Sequence, residues 1–183
     1  MAFEPNISIV GRIGSGFLAV MPKPVTGEWA EDEFANISRF GIRQVVSLLE
    51  TDEAEVFDLH DEAALCEKNG MRFIHYPICD RSLPESLDDF VEFTHQIFRD
   101  VESGVSTVVH CLAGIGRSGI TACGVLIHSG MTAEGAFDQI TEARGLQVPD
   151  TEQQRDWITK HQRAFTPRST EQGDAGKPNP VAS

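Results

Sequence analysis

Thr107-Val108-Val109-His110-Cys111-Leu112-Ala113-Gly114-Ile115-Gly116-Arg117-Ser118-Gly119 decides how this chain is read. A β-branched run leads in, a glycine-bearing loop follows, and an apolar segment ending at Gly130 leads out. In an open α/β sheet, ligands bind at the carboxyl ends of strands, so this loop lies where a site is expected. Gly114 and Gly116 let the backbone turn inward and aim several N–H groups at one point. The start of the following helix adds its own free N–H groups and a partial positive charge. Leu112, Ala113, Gly114, Ile115 and Gly116 therefore form an anion cradle. Arg117 closes it with a planar fork suited to two phosphate oxygens. Cys111 opens the cradle, where the same groups stabilise a thiolate. That sulfur is placed for in-line attack on phosphorus. His110 and Ser118 are its hydrogen-bonding neighbours, and Ser118 is expected to donate to it.

Outward from this loop, strands alternate with helices. Phe17 to Met21 reads as a buried strand, ended by Pro22 and Pro24. Trp29 to Phe40 reads as a helix stopped by Gly41. Arg43 to Leu49 reads as a buried strand, followed by an acidic loop, Glu50 to Glu53. A helix is expected over 53–68, closing at Asn69-Gly70. Met71 to Ile78 reads as a strand, 79–84 as a loop and 87–101 as a helix. Helices are also expected over 132–143 and 151–165. The fold class is α/β, with a central, mostly parallel sheet flanked by helices. The domain is expected over residues 1–165. From 166 to 183 the sequence is rich in Pro, Gly, Ser and charge, and reads as a disordered tail.

The chain has 183 residues, 15 basic and 28 acidic, for a net charge of -13. Such a surface repels nucleic acid and anionic membrane. A phosphate site on this chain must therefore build its positive potential locally, from amides and a few Arg. No apolar run reaches the length of about 18 residues that spans a bilayer, and the N-terminus lacks the pattern of a signal peptide. A cytoplasmic location is the expectation. Cys66, Cys79, Cys111 and Cys123 show neither C-x-x-C nor zinc-finger spacing, so neither a metal site nor a disulfide framework is expected. Cys66 and Cys123 read as small buried apolar residues.

Cys-x5-Arg by itself is a weak signal, expected by chance in about a quarter of chains of this composition. The preceding His, the following Ser, the Gly at the third position and the strand-to-helix context make it specific. His110 to Ser118 resembles the signature loop of the protein tyrosine phosphatase superfamily, and the short chain resembles its dual-specificity branch. It is similar to the kinase-associated phosphatases and their bacterial relatives. The likeness runs over roughly 15–165 and includes 45–50, Tyr76 to Asp80, Arg144-Gly145 and 148–157. The resemblance implies a general acid at Asp80 that protonates the departing oxygen and then activates water. Asp88 and Asp89 read as first-turn helix residues instead. It implies a water-placing role for Gln154, against the equal reading of a solvated helix residue, with Gln153 as its neighbour. No metal or other cofactor is needed, since Cys supplies the nucleophile. Cys79 reads as buried, with a disulfide to Cys111 as the second reading.

Gly114-x-Gly116-x-x-Gly119 also matches a dinucleotide fingerprint. Glu134 lies near the spacing of the ribose acid, but it starts a helix rather than ending a second strand, so that reading is rejected. Two rivals to a phosphoprotein phosphatase stand. One is a phospho-binding module without turnover, which intact Cys111, Arg117 and Asp80 argue against. The other is a phosphoinositide or RNA 5′-phosphate enzyme. Phosphoinositide relatives often carry Lys inside the loop, where this chain has Leu112, Ala113 and Ile115. RNA enzymes need a basic path, and only four Lys are present. The expected partner is a phosphorylated protein or peptide, and no oligomeric state is read.

Overall fold

A computed structural model describes residues 4–166. Its elements run β1 (Ser8–Ile13), β2 (Gly16–Met21), α1 (Ala30–Phe40), β3 (Gln44–Ser47), α2 (Thr51–Val56), α3 (Glu62–Lys68) and β4 (Arg72–His75). They continue with α4 (Leu87–Glu102), β5 (Thr107–His110), α5 (Arg117–His128), α6 (Ala133–Arg144) and α7 (Glu152–Phe165). The sheet order is β1-β2-β5-β3-β4. Three of the four pairings are parallel, and β1–β2 is an antiparallel hairpin at the edge. The expected α/β class with a mostly parallel sheet is the one observed.

Period-two alternation sorts the strand side chains onto two cores. Leu18, Val20, Val46 and Val109 face a layer built from α4, α5, α6 and α7. Ala19, Met21, Val45 and Val108 face the other layer, with Phe34 and Ile37 of α1 and Cys66 of α3. β5 is therefore covered on both faces, as central parallel strands are, and reads as a continuous apolar run for that reason. Helix α5 is buried along its whole length. A helix that is apolar all round is a core helix. Gly119 allows this close fit, since a Cβ there would lie 2.4 Å from Val148 Cγ1. The dinucleotide-like glycine pattern is in part a packing requirement.

Some boundaries differ from expectation. The hairpin partner β1 was not anticipated. The segment read as one helix over 53–68 is two, α2 and α3. The chain breaks between them at Asp58, whose φ is 56°. The turn sinks Leu59 into the core, which a straight helix would not do. Helix α2 also starts earlier, at Thr51, within the stretch read as an acidic loop. Cys66 and Cys123 are buried as expected. Of the tail expected over 166–183, only Thr166 lies among the described residues.

His128 carries a stability prediction. It closes α5, and its Nε2 lies 3.1 Å from Thr94 Oγ1. Burial, followed by the neighbouring His95, drives its pKa down to about 4. The unfolded chain then binds a proton that the folded chain refuses between pH 6.5 and about 4. The stability is whole above 6.5 and is lost as the pH falls toward 4. Thermal melts across that window should show a falling Tm, and His128→Gln should flatten the slope. An unchanged slope in the variant would assign the loss to other groups.

Candidate active site

Strand β5 ends at His110, so Cys111 emerges at the carboxyl edge of the sheet between β2 and β3. The loop 111–116 then turns into the N-terminus of α5, capped by Gly116. A cavity of about 200 Å³ opens there, lined by Asp80, Arg81, Cys111, Leu112, Ala113, Ile115, Gly116, Arg117 and Asp150. Cys111 is only 3% exposed. Its Sγ lies 3.5 Å from Ser118 Oγ, the neighbour expected from the sequence.

Arg117 is 1% exposed and heavily partnered. Its Nη1 donates to Glu53 Oε2 at 2.6 Å and Nη2 to Glu53 Oε1 at 2.9 Å, a fork-on-fork pair. Nη1 also donates to the Ile78 carbonyl at 3.0 Å, and Nη2 lies 3.0 Å from Asp80 Oδ1. The first turn of α2 sets Glu53, because its Oε2 also accepts the Glu50 N–H at 2.9 Å. Burial disfavours the Glu53 carboxylate. The bonds from Arg117 and Glu50, with the charge of Arg117, outweigh that and hold its pKa below the usual range. Desolvation likewise works against the Arg117 charge, and Glu53 foremost more than restores it.

Glu53 thus anchors the guanidinium, whereas the sequence read it as part of an acidic loop. Glu53→Gln should leave a carbonyl and an amide N–H₂ where two acceptors stood. Phosphate affinity should fall about ten-fold, the scale of one lost charge-assisted bond. Glu53 also stabilises the fold above its unfolded pKa, a contribution lost as pH falls through its depressed folded value. Acid denaturation below about pH 4.5 should be correspondingly shallower in Glu53→Gln. Phosphate titration and acid melts check both.

Asp80 stands at the mouth of the cavity, 52% exposed at its side chain, with its carboxylate on Arg117. Asp88 and Asp89 lie in the first turn of α4, behind the Ser86 N-cap. Gln154 is fully buried, which removes the reading of a solvated helix residue, while Gln153 is exposed. Gln154 Nε2 donates to the Ser82 carbonyl at 3.1 Å, and its Oε1 is buried without a partner. That oxygen lies 3.0 Å from where a Gly116 Cβ would stand. Gln154 therefore touches both the Asp80 loop and the cradle.

His110 sits differently from expectation. It is absent from the cavity lining, and its Nε2 lies 2.7 Å from the buried Glu62 Oε1. Its Nδ1 lies 3.4 Å from the Cys111 carbonyl oxygen. Its place is behind the loop, holding the strand end, rather than against a phosphate. Gly114 is not in the lining of that cavity; its φ of 71° carries the turn, where a Cβ would meet the Met21 carbonyl at 2.5 Å. Cys79 is exposed, correcting the expectation of burial. Glu62 lay beyond sequence reasoning; Glu53, as part of an acidic loop, and Arg144 and Asp150, within the family likeness, were singled out without a partner. Asp150 pairs with Arg81 Nε at 3.3 Å across the cavity mouth.

A thiol at the floor of an amide loop, at the carboxyl edge of a parallel sheet and closed by a buried Arg, has the architecture of the cysteine phosphatases. More closely, the chain belongs to the family described as Polymorphic toxin system, DSP-PTPase phosphatase, whose profile matches residues 19–131. It is similar to Protein tyrosine phosphatase type IVA 2 of Mus musculus, with 32% identity over 96 residues, 51% of this chain and 57% of that protein. The chain thus spans less than two thirds of the curated relatives it matches. A kinase associated phosphatase, solved with serine for its catalytic-site cysteine, superposes with a TM-score of 0.79 over 90% of this chain and 98% of that one. At 19% identity, that likeness concerns the fold. Tk-PTP in its active form superposes with a TM-score of 0.68 at 26% identity, over 88% and 99% of the two chains.

Proposed function

We propose that this chain is a metal-independent phosphatase that hydrolyses phosphate monoesters, on tyrosine or on serine and threonine of proteins, through a cysteinyl-phosphate. One observation carries the reading. The Arg117 fork is locked by Glu53 and meets Asp80 at the cavity that Cys111 also lines. Substrate phosphate docks on the Arg117 guanidinium and on the loop amides. It displaces Asp80 from the Nη2–H hydrogen bond, and the freed Asp80 carboxylate takes up a proton from solvent. The Cys111 thiolate attacks phosphorus, the ester P–O bond breaks, and Asp80 gives its proton to the leaving oxygen. Water then attacks the cysteinyl-phosphate. Asp80 takes its proton, Gln154 helps place it, and phosphate leaves with the thiolate restored.

The cavity walls favour one phosphate on an apolar body. Leu112 and Ile115 line it, and the second lining cation, Arg81, is neutralised by Asp150. A ligand with several phosphates finds no further cation in the lining. This supports phosphoprotein over phosphoinositide. No helix of the described residues is long and apolar enough to cross a membrane. The free thiol required by the reaction suits the reducing cytoplasm, where the sequence reading places the chain.

The test is an acid quench during turnover of a generic aryl phosphate in EDTA. Mass spectrometry should find a phosphoryl group on the Cys111 peptide. Turnover with no such adduct, or turnover abolished by EDTA, would sink the mechanism.

A further inference from the structure

The cradle needs its N–H groups turned inward, and nothing in its own sequence compels that. Gly114 lies at φ 71°, and glycine leaves the peptides on either side free to flip. A flipped peptide would point a carbonyl oxygen at the phosphate. In a trans peptide the C=O and the N–H point in opposite directions. Holding a carbonyl outward therefore holds the next residue's N–H inward.

The carbonyls of this loop are held from outside. Leu112 O accepts from the Lys23 N–H at 3.0 Å. Ala113 O accepts from Arg144 Nη2 at 3.1 Å, and Gly114 O accepts from Arg144 Nε at 3.1 Å. Arg144 is the last residue of α6, half-buried, and its Nη1 lies 3.5 Å from Ser8 Oγ on β1. It lines no part of the cavity. Its guanidinium grips two successive carbonyls, so the two N–H groups it sets are those of Gly114 and Ile115. A planar fork holds its donors in fixed directions toward both carbonyls; an ammonium on a flexible stem has three donors but fixes the direction of none.

We infer that Arg144 is a positioning residue for the phosphate cradle, selecting the peptide orientation in which the Gly114 and Ile115 amides face the substrate phosphate. This deepens the proposed function and rests on its placement of phosphate, but not on turnover. Lys23 sets the Ala113 amide through its main-chain N–H, which leaves Arg144 as the side chain that decides.

The test measures inorganic phosphate binding by calorimetry, with Tm and aryl phosphate kinetics alongside, on the wild type, Arg144→Met and Arg144→Lys. Arg144→Met should weaken phosphate about ten-fold or more, the scale of charge-assisted bonds lost when amides turn away. Arg144→Lys keeps the charge and the fold. It should hold its Tm yet still lose several-fold in phosphate affinity, with kcat/KM falling in step. Should Arg144→Met fail to fold, Arg144→Lys alone decides. Phosphate affinity within two-fold of wild type in the folded Arg144→Lys protein overturns the inference. A wild type that binds no phosphate overturns the clamp and the cradle together. A wild type that binds phosphate without hydrolysing an ester overturns the proposed turnover alone.

Discussion

Cys111→Ser should remove turnover of an aryl phosphate, by at least about 10⁴-fold as for lost nucleophiles elsewhere, while leaving phosphate binding near the wild-type value. A serine hydroxyl is not ionised at neutral pH, and among the described residues no base lies within hydrogen-bond reach of the residue 111 side chain. The described neighbour is Ser118 Oγ at 3.5 Å, another hydroxyl. Binding should survive because the loop amides and Arg117 are untouched, and because the side chain is nearly isosteric in a site only 3% exposed. Removing the negative sulfur should even relieve repulsion of the phosphate dianion. Kinetics in EDTA beside phosphate calorimetry check the pair of expectations. Turnover within ten-fold of wild type would move the nucleophile elsewhere. Equal loss of binding would mean that the substitution had collapsed the loop.

The second large effect falls on Asp80. Asp80→Asn should slow the first chemical step by about 10²–10⁴-fold, the usual worth of a general acid. The size should depend on the leaving group. A phenolate that leaves poorly needs the proton, while an activated nitrophenolate needs it far less. The loss should therefore be steep with phenyl phosphate and shallow with an activated ester. Phosphate affinity should move the other way. Asp80 Oδ1 lies 3.0 Å from Arg117 Nη2, so the carboxylate competes with phosphate for that donor. An Asn competes more weakly, and the variant should bind phosphate at least as tightly as the wild type. Equal losses across leaving groups would return the search to another acid.

The two expectations draw on different kinds of information. Cys111, Arg117 and the loop between them were legible because they are contiguous. One strand, one turn and one helix start, all local, place a thiol, a set of amides and a guanidinium around one point. The sheet was legible for a similar reason. Val45-Val46 and Val108-Val109 are β-branched runs, buried on both faces, and no other reading accommodates them. The edge hairpin escaped because Ser8 to Ile13 alternates weakly and carries Gly11 and Arg12, and its strand character comes from pairing with β2. The break in 53–68 escaped because helical spacing continues through it. What ends α2 is the burial of Leu59, a tertiary demand that local propensity does not announce.

The chain's own order of residues determined the fold class, the place of the loop and the nucleophile, because backbone geometry and helix-start electrostatics act over a few residues. Tertiary structure alone decided what holds that machinery in place. Glu53 reaches Arg117 across 64 positions, Glu62 reaches His110 across 48, and Arg144 reaches Ala113 across 31. Each of these side chains is an ordinary helix residue by composition. Each becomes part of the site only because packing brings a distant helix against the loop, where a buried charge or an outward carbonyl must find a partner.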